Sequence, residues 1–584
     1  MEIKVIDSID KLLFYQTEWE CIFKENNINI LFLELDWIKC WWKYFGHKHK
    51  LFVLMIINDR EIIGFCPLML TKKKICNEIN FISVKQSCKM DFILRNDYRE
   101  EAIECIFNFF RKLKGKNILI LHGMYENAEN YVLLKKYLKD NEIPYATRNI
   151  SSYYINLEGS DFNSYLKDRF GKGSISKMKN KEKKLKNLGE LCYKKISPTE
   201  IDEVFEIHDK RWLRKVGNSS FSKGDTKEFY KELASYKDME FNIEVDAITL
   251  NNRIISFIYG IKYRDEILLY RIAHDDDFNF LSPGALMLRK KVEECFNSQI
   301  KILDLGPGYE PFKAEWTNGC EEVYTIIMPS TNLQSTLIFY IKYLTKTKLV
   351  NALKRNKNIV NFKKYCLGKI KFLLSKGNIL SKIIKVKKAI YQKGLLIFIT
   401  KLFTNLTDKI FCYKKYLILE TNLKNIELSQ SIKQIREATI DDLSALSEVM
   451  NESPRNIIKR FINGHKCYIT LHDNEIIYYC WINCSSIEIS DVKLETTFGC
   501  YDAYIYDNFM IKKFKNEYDY SCILSSVLNI LYNENFRKCY ITQNCCNKYF
   551  KNELNGKIFS PRYKIIGKGL LSKIKYSIYD LKLS

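Results

Sequence analysis

A chain of 584 residues with 46% hydrophobic and 14% aromatic content can build more than one packed core, which excludes a disordered or fibrous protein. No apolar run reaches membrane-spanning length, since the run from Gly394 to Thr400 is broken by Lys401, and the amino-terminal MEIKVIDSIDK carries acids where a secretory signal needs an apolar segment. The formal net charge is +24, yet the stretch from Thr331 to Asn425 holds 21 Lys plus Arg against two acids, so +19 of the excess lies there. The 19 cysteines show no paired ligand spacing; we expect reduced core thiols, a cytoplasmic chain and no metal.

In chain order, the first 150 residues open with amphipathic helical stretches carrying Trp37, Trp41 and Trp42, followed by a hairpin from Leu51 with its turn at Asn58-Asp59. Phe81 to Leu94 reads as further strand, Arg99 to Lys114 as helix and Asn117 to His122 as strand. Residues 151–330 enter through a basic helix containing Lys177 to Lys186, whose charge run suits a solvated face or a phosphate contact. A second hairpin follows from Ile243, with its turn at Asn251-Asn252. Residues 331–434 are expected to form a basic helical connector, mixing Lys with Ile, Leu, Phe and Tyr. Residues 435–584 begin with a short strand, a turn and a helix capped by Thr439, with Asp441 and Asp442 in its first turn, and then a third hairpin from Lys466 turning at Asp473-Asn474. Each hairpin resumes with Ile-Ile after its turn, so duplication is the better reading of the three.

The stretch from Glu266 to Gly319 carries the chemistry. An apolar strand, Ile267 to Ala273, is followed by HDDD, taken as a flexible acidic loop, and then by Ser282-Pro283-Gly284 at the start of a helix. Ser282 is placed to cap that helix, Pro283 suits its first turn, and Gly284 and Ala285 leave first-turn amides uncovered, which makes an anion site. A second strand, Lys301 to Leu305, contains Asp304 and runs into a Gly-Pro-Gly loop with Glu310, Lys313 and Trp316. Strand ends of this kind are where open α/β sheets bind ligands. Upstream, HDKRW places His208, Arg211 and Trp212 on a helix.

LSPGALML, LDLGPGYEPFKAEW, HDKRW and the basic stretch together resemble a CelD/BcsL-type acetyltransferase domain of the GNAT superfamily, and the DLG…FK pattern is also similar to the Fem-type aminoacyl ligases. The resemblance covers about Phe32 to Pro329. It implies an α/β (α+β) fold of repeated mixed-sheet units, two forming a Fem-like twin-lobe body and a third at the carboxyl end. It implies an acyl-CoA donor bound at Ser282, Pro283, Gly284 and Ala285, with Asp304, Glu310 and Lys313 as catalytic candidates and Arg211, Trp212 and Trp316 as packing or substrate-edge residues. In the third unit the residues from Lys512 to Leu528 contain no glycine, where the resemblance requires a Gly-containing loop for pyrophosphate. That unit is expected to be degenerate.

The expected activity is acyl transfer to an amine or hydroxyl of a cell-surface polysaccharide, lipid-linked or peptidoglycan precursor. A Fem-like ligase using aminoacyl-tRNA and a non-catalytic scaffold on membrane or nucleic acid are the alternatives. Residues 331–425 suit an anionic membrane surface; tRNA is the weaker partner because Arg355 is the only arginine of that stretch.

Overall fold

The computed structural model describes residues 1–216, 219, 221, 224–236, 239–347, 411–425, 435–489, 494–497, 499–511, 514, 518–544, 559–570 and 573–580. The chain divides into two compact units, Met1–Glu182 with Cys192–Leu373, and Lys183–Leu191 with Leu374–Ser584.

The three hairpins are present, and they match in detail. Val53–Asn58 pairs with Glu61–Cys66, Phe241–Leu250 with Arg253–Tyr263, and Lys466–His472 with Glu475–Asn483, all antiparallel. Each turn places two residues in the left-handed region, as a tight two-residue hairpin demands: Asp59 and Arg60, Asn251 and Asn252, Asp473 and Asn474. The first turn is therefore one residue later than Asn58-Asp59, because Asn58 still pairs with Glu61. Each hairpin also has a register shift at the same place before its turn, at Ile56/Ile57, Ile248/Thr249 and Thr470/Leu471. A shared bulge adds a feature that turn composition alone does not encode.

The fold is mixed α/β with several mixed sheets. In the first unit a four-stranded sheet (Glu2–Ile6, Val53–Asn58, Glu61–Cys66, Ile93–Leu94) adjoins one of eleven strands. The larger sheet runs Leu191–Lys195, Phe241–Leu250, Arg253–Tyr263, Glu266–His274, Ile302–Pro307, Ala146–Asn156, Gly319–Pro329, and continues through Asn117–Tyr125 and three further strands. The sheet of the second unit repeats this order strand for strand: Ile435–Glu437, Lys466–His472, Glu475–Asn483, Asp502–Met510, Lys538–Asn544, Phe411–Asn422, Ser560–Leu570, with Lys573–Asp580 beyond. In both, the fourth and fifth strands pair in parallel.

Phe411–Asn422 corrects the expectation of a helical connector over residues 331–434. Tyr416 and Ile418 enter one core cluster while Leu417 and Leu419 pack in another. A strand apolar on both faces has no visible alternation, so it reads like a helix run. Helix is found over Leu333–Ile338 and Phe339–Leu344; residues 348–410, most of the basic stretch, lie outside the described residues. The expected strand from Phe81 to Leu94 is also corrected, being confined to Asn77–Phe81 and Ile93–Leu94 with turns between. Thr439 does close a capping box with Asp442.

Within the first unit one large core cluster draws on residues from Ile6 to Met328, and a smaller one gathers Cys76, Ile118, Ile327 and Phe339. Trp37, fully buried on Leu35–Phe45, meets Phe229 at 5.4 Å and Tyr270 at 6.3 Å, so the two halves of this unit share their interior. No disulfide joins the described cysteines, many of which are buried.

Candidate active site

Glu266–His274 and Ile302–Pro307 pair in parallel over only three residues, the last contact being Leu268 with Asp304. Beyond it the strands part. A bulge accompanies the divergence: Tyr270, the extra residue opposite Tyr259/Gly260, lies on Glu266–His274 and turns the remainder of that strand aside. The result is an open gap in an otherwise continuous sheet.

At the far end of Glu266–His274 the chain makes a short 3₁₀ turn, Asp276–Leu281, and enters the helix Pro283–Phe296 through Ser282. The expected side-chain cap is absent. Ser282 is left-handed at φ 54°, which points its hydroxyl away from the helix; its carbonyl instead accepts the Ala285 and Leu286 N–H groups at 3.1 and 3.2 Å. The Ser282 hydroxyl accepts from Lys181 Nζ at 2.7 Å, so one lysine of the basic stretch reaches the helix start. Gly284 has a steric reason besides openness: a Cβ there would lie 2.7 Å from His274 Nδ1. His274 thus covers one side of the first turn, and no acidic residue occupies that turn.

The acidic loop is not flexible. Asp275 is 2% and Asp277 7% exposed. Lys210 bridges Asp275 at 2.8 Å and Asp277 at 2.7 Å, and Arg253 meets Asp275 at 2.7 Å. Burial by itself would push the Asp275 carboxyl up, but the Lys210 ammonium and the Asp277 N–H outweigh it and hold the group below the usual range. Beside Lys210 on the helix Ile201–Val216, Arg211 donates to His274 Nε2 at 2.6 Å and pairs with Asp276 at 2.7 Å. Trp212 stacks on His208 at 5.7 Å, and burial with the nearby Arg271 charge pushes the His208 imidazole down to about 3, so it is neutral. HDKRW is therefore chiefly the brace that holds the turn before the helix start.

On the other side of the gap, Asp304 accepts the Gly306 N–H at 2.7 Å, fixing the Gly-Pro-Gly loop, whose Gly306 and Gly308 both have positive φ. Burial pushes the Asp304 carboxyl up, against the opposing pull of that N–H and of Lys89 and Lys313. Asp304 borders a cavity of about 30 Å³, room for one water, with Asn29, Cys88, Lys89 and Glu266. Lys313 is neither solvated nor poised in open space: it is buried, and its ammonium donates to the Gly306 and Pro307 carbonyls at 3.0 and 3.3 Å. Glu310 stands before the helix Pro311–Trp316, its carbonyl accepting the Lys313 N–H at 2.9 Å. Trp316, 2% exposed against Phe170 at 4.7 Å, is enclosed in the core and not at a substrate edge.

The first half supplies the facing wall. Gln86 accepts the Tyr270 hydroxyl at 2.6 Å through its carbonyl, and the Cys88 thiol, pushed up to about 11 by burial and by Asp304, also feels the opposing charge of Arg271. Sequence reasoning missed His274, Cys88 and Arg271 as site groups, and reached Lys181 only as part of a stretch suited to a solvated face or a phosphate contact. Lys181 is one of many lysines in its stretch, and Arg271 is hidden inside an apolar run.

The equivalent helix of the third repeat, Tyr520–Asn533, begins differently. Asp519 caps it, its carboxylate accepting the Ser521 N–H at 3.0 Å and the Ser521 hydroxyl at 2.7 Å. A carboxylate already sits where an anion would bind.

Residues 173–314 match the model of an acetyltransferase (GNAT) domain. That span contains Lys181, the Lys210 brace, the site helix, Asp304 and Lys313. No curated protein matches the chain. Among solved structures, the chain is similar to FemX, at 11% identity and TM-score 0.41 over 58% of this chain and 100% of that one. It is also similar to a GNAT-family acetyltransferase from Colwellia psychrerythraea, at 9% identity and TM-score 0.31 over 56% and 100%.

Proposed function

We propose that the chain is an acyltransferase that moves an acyl group from acyl-CoA to an amine or hydroxyl of a cell-envelope acceptor, a glycan or lipid-linked precursor, working at the cytoplasmic side. The observation that carries the reading is the parallel pair opening beside a helix start that Lys181 reaches and no acid blocks. The donor's pyrophosphate fits the Gly284 N–H and the Lys181 ammonium, with a positive dipole end behind them. The thioester then lies along the gap, where the strands offer unpaired backbone groups to orient it.

In the transfer, the acceptor's nitrogen or oxygen attacks the thioester carbonyl, the new acyl bond forms, the C–S bond breaks and CoA leaves as its thiolate. Asp304, its carboxyl raised by burial, takes the acceptor's proton, since a raised carboxyl holds a proton better than an ordinary one. Lys313 and Glu310 act by holding the loop that carries Asp304, and Arg211 by holding His274 against the helix start. The second repeat is the working site; the third is blocked by Asp519.

A thermal-shift series with CoA, acetyl-CoA and longer acyl-CoAs tests the reading, because a ligand that binds only the folded state stabilises it by mass action. Saturable stabilisation by the acylated forms is expected. Stabilisation by aminoacyl-tRNA with none by any acyl-CoA would replace this donor with the ligase alternative.

A further inference from the structure

Several half-buried arginines in this molecule pair with acids, while Arg148 and Arg169 donate instead to the Thr347 hydroxyl and to the Ala314 and Glu315 carbonyls. Arg99 pairs with Glu129, Arg211 with Asp276, Arg253 with Asp275, Arg289 with Glu182 and Arg460 with Asp507. Arg271 does not: among the described residues no carboxylate lies within ion-pair reach of it. Its guanidinium donates to the Tyr270 carbonyl at 2.8 Å and to the Tyr230 hydroxyl at 3.4 Å, and it lies over the Tyr270 ring at 4.3 Å. Phe221 and Tyr230 rings complete its surroundings at 5.8 Å each. Two of its five N–H donors are thus engaged, both with neutral oxygens. A cation enclosed by aromatic rings without a counter-ion is costly to keep in a stable fold and is characteristic of a place where an anion arrives.

Its position says which anion. Arg271 lies three residues past the last parallel contact, Leu268 with Asp304, and so on the freed part of the strand. Residues an odd number apart on a strand face opposite ways, so Arg271 and His274 lie on opposite faces. His274 faces the helix start where the donor's phosphates fit; Arg271 lies over the Tyr270 ring, whose hydroxyl reaches the Gln86 carbonyl of the first half. Leu268 pairs with Ile261 and with Asp304 while Arg271 pairs with Tyr259, two residues from Ile261, so the cation and the proton acceptor share one face.

We propose that Arg271 anchors an oxyanion, a phosphate or a carboxylate, on the acceptor, so that the acceptor is an anionic molecule whose nucleophile is presented to Asp304. The inference rests on the acyltransferase reading for the word acceptor, but the anion site stands or falls by itself. The guanidinium fork engages two oxygens at once, which fixes orientation as well as charge.

The test uses the full chain, with thermal unfolding followed by tryptophan fluorescence at fixed ionic strength in sodium chloride, sodium acetate and sodium phosphate. One oxyanion should raise the midpoint in a saturable way beyond chloride: phosphate marks a phosphorylated acceptor, acetate a carboxylate. Arg271→Met should abolish the saturable part and unfold at a higher temperature than wild type when no oxyanion is present. Arg271→Lys should keep the charge without the fork and bind about tenfold more weakly or worse. Should the Met variant fail to fold, Arg271→Gln carries the comparison. The same anion response in wild type and variant, or no response to either anion in wild type, overturns the proposal. Calorimetry with acetyl-CoA on the same samples is read separately. Absence of acetyl-CoA binding would remove the transferase reading and leave the anion result in place.

Discussion

Lys210 holds together the turn from which the site helix starts, and its removal tests whether that turn is built or merely drawn close. In Lys210→Met the stem remains and the charge goes. Asp275, with its side chain 3% exposed, keeps Arg253 and the Asp277 N–H; Asp277, 10% exposed, loses a cation at 2.7 Å. Stripping one partner from a buried ion pair costs about 3–5 kcal/mol, and because Lys210 is itself 32% exposed the expectation falls to about 2–3 kcal/mol. Six of the seven tryptophans (all but Trp481) lie in the first unit, so fluorescence-detected urea unfolding reports that unit. The midpoint should move down by about 1 M urea. The pH dependence has a definite sign. The folded Asp275 carboxyl is depressed, so its contribution is present above the ordinary carboxylate pKa of about 3.9 and is lost as pH falls through the lower folded value. The difference between variant and wild type should therefore be constant from about pH 7 to 5 and shrink below about 4. A loss under about 0.5 kcal/mol at neutral pH would place these charges in water and refute the brace.

Three further outcomes follow from single features. Gly284→Ala pushes a methyl into His274 Nδ1, so the imidazole must swing off its Arg211 bond; donor affinity should fall while far-ultraviolet circular dichroism is kept, and unchanged affinity would separate His274 from the site. Calorimetry on the full chain should count one acetyl-CoA per chain, because Asp519 occupies the third repeat's helix start; two equivalents would reverse that assignment. We also propose peripheral binding to anionic membranes through the helical stretch from Leu333, where Leu333, Leu337 and Ile341 are 83%, 58% and 65% exposed on one stripe ahead of the basic segment. Leu337→Glu should reduce sedimentation with anionic vesicles at low salt, and a wild-type chain that stays in the supernatant defeats the proposal.

Much of the fold was legible because local chemistry states it. Polar pairs with left-handed tolerance mark the hairpin turns, and Thr439 with Asp442 spells its capping box. The one-residue error at Asp59-Arg60 arose because arginine is not a residue one expects at positive φ. Phe411–Asn422 was illegible for the opposite reason, a strand buried on both faces having no alternation to read. For the site, the strand, helix start and Gly-Pro-Gly loop were found from their order. The brace was not, since Lys210 and Asp275 are 65 residues apart and each looks solvated in its own neighbourhood. The contacts of Lys313 were hidden similarly, as nothing in PFKAEW tells that its ammonium turns back onto two carbonyls. Partner identity is a tertiary fact.

The central claim is that an acyl-CoA donor is held at the helix start beside Lys181. Titration calorimetry of acetyl-CoA into wild type and Lys181→Ala measures it directly. We predict saturable binding of one equivalent to wild type and an affinity about 10- to 100-fold weaker in the variant, the worth of one hydrogen bond to a charged group. Equal affinity in the two proteins, or no binding to wild type, would contradict it.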